Sequence, residues 1–260
     1  MIELDFRQRL KKNRPLLGMQ CFTGSASIVE ILGGSGYDWV SIDMEHCPTD
    51  FALAEQLTRA ANCAGITPLI RVADNSPVLI MKALDAGAAG VFVPHVSSRA
   101  DVERAVAASL YAPQGNRGAC STTRPAGYGA ERWTDYVKRA NESVVVIPLI
   151  EDKAGIDAFD DLLAVKEVPA YWIGVTDLTV AMGCPGADFY QPELAAMARD
   201  MNKRAASAGK ALMVTATPTV TVEYALHLVN LGFRLISFSV DLRVFLRAAT
   251  DIATGFHGSR

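Results

Sequence analysis

The sequence is poor in the features that mark several large classes of protein. No apolar run reaches transmembrane length, and the opening Met1-Ile2-Glu3-Leu4-Asp5-Phe6-Arg7 lacks the basic-then-apolar order of a secretory leader. Basic charge is not in excess, since 25 Lys and Arg against 28 Asp and Glu leave a net charge of -3. A nucleic-acid or anionic-membrane partner therefore has no electrostatic support. Cysteines are few: Cys21, Cys47, Cys63, Cys120 and Cys184 are odd in number and hold no CxxC pair. This argues against a disulfide framework or structural zinc site and predicts a reducing, cytoplasmic setting. At 50% hydrophobic and 20% charged over 260 residues, the chain reads as one domain, 1–260, built for small-molecule chemistry.

What is present is a repeated pattern of apolar runs. Gly36-Tyr37-Asp38-Trp39-Val40-Ser41-Ile42-Asp43-Met44-Glu45-His46 begins as a buried strand and ends abruptly in two carboxylates and an imidazole. Similar runs start at Leu16, Thr67, Gly90, Val144, Ala170, Ala211 and Leu235, with helical patterns between them. Eight strands alternating with helices, without a composition break, predict a (β/α)8 TIM barrel with an N-terminal helix and an extended C-terminal helix. One connection, Ala112 to Ala130, is long and rich in Gly, Pro, Ser and Thr, which suits a functional or mobile loop.

Active sites of such barrels form at the C-terminal strand ends, so polar residues closing apolar runs are the candidates. They are Asp43, Glu45 and His46 after the second run, Arg71 after the third, Glu151 after the fifth and Asp177 after the sixth. Period-two alternation places Ile147, Leu149 and Glu151 on one face, and Ile173, Val175 and Asp177 on one face. Strands about 4.8 Å apart would let both carboxylates hold one divalent cation. Oxygen donors favour Mg2+ or Mn2+ over zinc. The plainer alternative is that Glu151 and Asp177 cap the helices that follow. Lysines speak against a Schiff-base enzyme: Lys82, Lys138, Lys166 and Lys203 fall in helices or their flanks, while Lys153 and Lys210 lie just outside strands.

In order along the chain, Gly36-Tyr37-Asp38 with Asp43-Met44-Glu45-His46, Ile70-Arg71-Val72, Met81 to Ala88, Val93-Pro94, Asn116-Arg117-Gly118, Ile150-Glu151 and Ile173-Gly174 with Asp177-Leu178-Thr179 form a set. That set resembles the HpcH/HpaI aldolases. The resemblance implies a divalent-metal-dependent aldolase that reversibly cleaves 4-hydroxy-2-oxo acids to pyruvate, or an analogue such as hydroxypyruvate, and an aldehyde. It further implies that Glu151 and Asp177 are metal ligands for Mg2+, Mn2+ or Co2+, and that Arg71, Thr176 and Asp177 contact substrate. His46 matches an acid-base histidine and Asp85 its aspartate partner. A homo-oligomer is also implied, commonly a hexamer with an exchanged C-terminal helix. Leu149 and Val175 stand where some members carry Gln and Pro, which leaves substrate identity more open than reaction type. The alternatives are a related lyase on another carboxylic or CoA-linked acid, which would need a basic groove at the mouth, and a non-catalytic 2-oxo-acid-binding protein.

Other conspicuous residues read more plainly. His95, after Val93-Pro94, suits a structural hydrogen-bonder, with a second proton carrier or substrate contact as the alternative; Trp39 suits a wall or core position, and Cys47 is badly oriented for attack through adjacent His46. Arg117 and Arg124 suit either an acidic acceptor or surface and subunit contacts. Gly33-Gly34-Ser35-Gly36 precedes a strand, the wrong context for a phosphate cradle.

Overall fold

The apolar runs become strands in a computed structural model that describes residues 6–12 and 14–258. They are β1 (Leu16–Cys21), β2 (Trp39–Asp43), β3 (Thr67–Arg71), β4 (Gly90–Val93), β5 (Val145–Ile150), β6 (Ala170–Ile173), β7 (Ala211–Thr215) and β8 (Leu235–Val240). Each pairs in parallel with the next, and β1 pairs with β8 to close an eight-stranded barrel. Helices follow the strands, which is the (β/α)8 architecture. The expected domain limits, residues 1 and 260, lie outside the described residues.

Alternation along each strand sorts its side chains into two layers. On β5, Val145, Ile147 and Leu149 enter the barrel interior, whereas Val146 and Ile150 pack under the surrounding helices. Trp39, Phe92 and Trp172 pack across the interior in tilted and edge-on contacts, with ring centroids 5.7 Å and 5.0 Å apart along the series. Trp39 needs a glycine opposite it. Gly18 is its register partner on β1, and a Cβ there would lie 2.1 Å from the indole. At the other end of the barrel, the N-terminal helix Phe6–Leu10 inserts fully buried Phe6 into the same inner cluster.

Two sequence expectations are corrected. One of the helical patterns between the apolar runs, Ala154 to Val165, reads as a single helix in the sequence and is two short ones, Lys153–Asp157 and Phe159–Leu163, joined at Ala158. The sixth strand stops at Ile173 rather than continuing to Asp177, because Gly174 leaves the extended region and Val175–Ala181 is helical.

Candidate active site

The C-terminal mouth is organised by Asp43. This fully buried carboxylate ends β2 opposite Arg71 on β3, and its Oδ2 pairs with the arginine Nε. Its Oδ1 accepts the backbone N–H groups of Glu45 at 3.1 Å and His46 at 2.7 Å. Those bonds turn the chain sharply and present both side chains to the mouth. Arg71 is buried as well, with its guanidinium 5.2 Å from the Trp172 ring centroid and Nη1 3.0 Å from Oε2 of Glu45. A buried arginine held by two carboxylates is oriented before any ligand arrives.

Glu45 is the strained member of the group. Burial pushes its carboxyl above the ordinary value, the charge of Arg71 opposes that, and nearby Glu151 adds to it. Oε2 of Glu45 is buried and accepts no aligned hydrogen bond, although Arg71 approaches it as an ion pair. His46 projects outward, with Nε2 3.7 Å from that oxygen.

Glu151 follows β5 and faces Glu45 across His95. The histidine lies 3.0 Å from Oε1 of Glu151 through Nδ1 and 3.4 Å from Oε1 of Glu45 through Nε2. Its backbone N–H also donates to Oε1 of Glu151 at 2.7 Å, holding His95 at a φ of 56° that few side chains adopt. Gly174 makes room for the glutamate: a Cβ there would stand 2.8 Å from the Glu151 Cβ and 3.3 Å from its Oε2.

Thr176 and Asp177 arrive by a different route from the one alternation predicts. Ile173 and Val175 both pack into the outer layer, so a continued strand would carry Asp177 away from the mouth. The helix Val175–Ala181 instead lifts Thr176 and Asp177 to the rim in its first turn. His46, Arg71, Glu151, Thr176 and Asp177 then line one cavity of about 440 Å3, joined by Arg243. This volume suits a small organic ligand.

Asp85 is not brought to His46 within the chain. It closes the helix Pro77–Asp85, whose nine residues carry it about 13 Å toward the opposite end of the barrel. There its Oδ1 pairs with Nη2 of Arg117 at 2.6 Å. Arg124, donating to the Ala86 carbonyl, anchors the long loop to the same helix end. Both arginines are structural anchors in the chain, remote from the mouth. Lys153 pairs with Asp157, and Lys210 donates to the carbonyls of Val165 and Val168, so neither lines the cavity. The Cys47 thiol is pushed up to about 12, first by burial and then by Asp43, which disfavours the thiolate a nucleophile needs.

The donor chemistry fits a hard divalent cation. Glu151 and Asp177 contribute carboxylates to the cavity, and the unbonded Oε2 of Glu45 adds negative charge that the protein leaves uncompensated by hydrogen bonding. Among the described residues no group of three or more His, Cys, Asp or Glu forms a complete ligand cage, so water and substrate would fill the remaining positions.

An eight-stranded barrel with an oxygen-rich mouth, a fixed arginine and an exposed imidazole is the arrangement of a small-molecule enzyme. The HpcH/HpaI aldolase/citrate lyase family model matches residues 18–248. The chain is 34% identical over 248 residues to a hydroxypyruvate/pyruvate aldolase of Paraburkholderia phytofirmans, covering 93% of each. It is 32% identical over 250 residues to a 2-dehydro-3,6-dideoxy-6-sulfogluconate aldolase of Pseudomonas putida, covering 96% of this chain and 95% of that protein. A crystal structure of an HpcH/HpaI aldolase/citrate lyase family protein from Burkholderia cenocepacia superposes with a TM-score of 0.89 at 31% identity, covering 97% of this chain and 98% of that one. The chain belongs to the HpcH/HpaI aldolase/citrate lyase family, as an aldolase and hence a carbon–carbon lyase.

Sequence reasoning left two residues without their place in the site. Glu45 was visible as a strand-end carboxylate but carried no role, and His95, read first as a hydrogen-bonder, was not given its two partners, Glu45 and Glu151. The available signal was position, since both follow apolar strands at the ligand face.

Proposed function

We propose that this aldolase is divalent-metal-dependent and reversibly cleaves 4-hydroxy-2-oxo acids to pyruvate or hydroxypyruvate and an aldehyde. The observation that carries the reading is the convergence of Glu151, Asp177, Arg71 and His46 on one cavity. Glu151 and Asp177 would hold Mg2+, Mn2+ or Co2+, and the cation, when bound, supplies Lewis-acid stabilisation to the ketone oxygen. Arg71 orients the 2-oxo acid by donating to its carboxylate or ketone oxygens, and Thr176 offers a hydroxyl beside it. His46 takes the proton from the 4-hydroxyl as the C3–C4 bond breaks and the aldehyde forms. The electron pair of that bond passes to the three-carbon fragment, and His46 returns a proton to it at C3. In condensation the same imidazole works in reverse.

The resemblance also supports a homo-oligomer, such as a hexamer. The C-terminal helix Asp241–Gly258 buries Asp241 alone and leaves Phe245, Leu246, Ile252 and Phe256 exposed, an apolar face that suits a second copy. Because Asp85 is remote from His46 in the chain, a dyad between them would have to form between copies.

The test is pyruvate release, coupled to lactate dehydrogenase, from a panel of 4-hydroxy-2-oxo acids after chelation and metal restoration. Metal-restored turnover is expected, lost in Glu151→Ala together with metal affinity and lost in His46→Ala with metal affinity kept. Full turnover in chelator would overturn the metal role, and equal metal loss in the two variants would overturn the division of labour.

A further inference from the structure

At the end of the barrel away from the mouth, a groove of about 840 Å3 runs along the N-terminal ends of β6, β7 and β8. Lys11, Lys12, Lys166, Arg199, Lys203 and Arg234 line it, and Arg7 and Lys210 complete the wall. No aspartate or glutamate is among its described lining residues, in a chain where acids outnumber bases by 28 to 25. The cations come from separate segments. Lys11 and Lys12 follow the N-terminal helix, Lys166, Lys210 and Arg234 sit near strand starts, and Arg199 and Lys203 lie four residues apart on the helix Pro192–Ser207.

The rest of the surface supplies the contrast. Several arginines elsewhere are matched with carboxylates: Arg59 with Glu55, Arg99 with Glu103, Arg104 with Asp101. Even Arg204, on the same helix as Arg199 and Lys203, pairs with both Asp160 and Asp200. Among the described residues, the six groove cations named first have no carboxylate partner. Two others are fixed in place, Arg7 by the carbonyls of Val144 and Glu167, and Lys210 by two carbonyls at 2.6 Å. Burial, with the charge of Arg7 added, lowers the Lys210 ammonium against the pull of Glu167. Eight like charges in one concavity repel one another until an anion enters.

We propose that this groove binds a small polyphosphate anion, a chain of two or more linked phosphates. Cations spread along the groove match several anionic groups in a row better than one carboxylate or one phosphate. The concave shape and the net-negative chain around it favour a small molecule over an extended polyanion. The groove is separate from the catalytic mouth, so this binding stands or falls independently of the aldolase mechanism.

The experiment is isothermal titration calorimetry of the purified full-length enzyme with sodium tripolyphosphate, and in parallel with ATP and with citrate. One-site binding of tripolyphosphate is expected, weakening with added salt. Arg199→Glu and Lys203→Glu, both at exposed helix positions, should each weaken it about tenfold or more, whereas Lys138→Glu, exposed but outside the groove lining, should leave it within about twofold. ATP bound more tightly than tripolyphosphate, and lost in the same variants, supports the groove with a nucleotide as its source; equal binding supports it with the phosphate chain alone. Absence of tripolyphosphate binding, binding unchanged in both groove variants, or citrate bound as tightly would overturn the proposal.

Discussion

Gly174→Ala is the sharpest test of where the site lies, because it perturbs Glu151 through one added atom. The new Cβ would stand 2.8 Å from the Glu151 Cβ, about 0.6 Å inside the 3.4 Å at which ordinary contact begins. That neighbour is the stem of the side chain beside the backbone, so a change of rotamer cannot relieve the contact. Backbone strain does not contribute, since Gly174 has a φ of -78° that alanine adopts freely. Overpacking of this size costs about 1–3 kcal/mol, which a folded domain of this size tolerates. Its catalytic effect should be larger than its share of stability. Displacing a positioned group by about 1 Å can cost about 100-fold in rate, so kcat/KM should fall by about 10- to 100-fold, or roughly 1.4–2.8 kcal/mol. Urea denaturation checks that the variant is folded, and coupled pyruvate release with a Mn2+ titration reads activity and metal affinity. Gly34→Ala, where a Cβ would meet nothing within 4 Å, is the control. A folded Gly174→Ala enzyme with parental kcat/KM and metal affinity would refute the placement of Glu151.

Glu45 carries a pH signature. Its carboxyl is raised above 4.5 by burial, so the folded chain binds this proton more readily than the unfolded one. The ionised form therefore costs stability above its folded-state titration, and that cost fades as pH falls through it. In chelator, Glu45→Gln should gain on the parent in urea midpoint as pH rises from about 4.5 to 7; a pH-independent difference would contradict the raised carboxyl. Among the thiols, Cys47 held near 12 exposes roughly one thiolate in 10,000 at pH 8, while hydrogen bonding from Thr122 lowers exposed Cys120 from 9.0. Mass spectrometry after brief iodoacetamide treatment should find Cys120 labelled well before Cys47, and the reverse order would contradict both directions. Phe245→Asp with Ile252→Asp should lower the mass measured by light scattering without lowering the stability of the barrel; an unchanged mass removes that helix from the interface.

The barrel was legible because its signals are local. Each strand is a short apolar run, four of them closed by polar residues, and in a parallel barrel both layers are buried, so the runs stand out from the amphipathic helices between them. The same logic found Glu151, Arg71 and His46, which sit at strand ends whatever the details of packing. Boundaries were less legible, and at Asp177 this mattered. The run Ala170 to Asp177 reads as one strand because Val175 and Thr176 are β-formers, yet Gly174 has to yield to the Glu151 side chain and the chain turns into a helix there. The conclusion that Asp177 reaches the mouth survived a wrong route.

The pairings that depend on three-dimensional direction were hidden from the sequence. Alternation shows that a side chain ends a strand, but not that His95 bends back at positive φ to bridge Glu45 and Glu151. Nor does it show that Asp85, a helix length below Arg71, faces Arg117. The basic groove was invisible for a related reason. One stretch, Arg7 to Arg14, is visibly basic, but nothing in the sequence shows that Lys166, Arg199, Lys203, Lys210 and Arg234, scattered singly or in pairs farther along, join it in space. Parallel strands that begin together gather them on one face, just as strands that end together gather the carboxylates on the other. One topology thus gathers carboxylates at one end of the barrel and cations at the other, so the strand starts carry as much of the charge pattern as the strand ends.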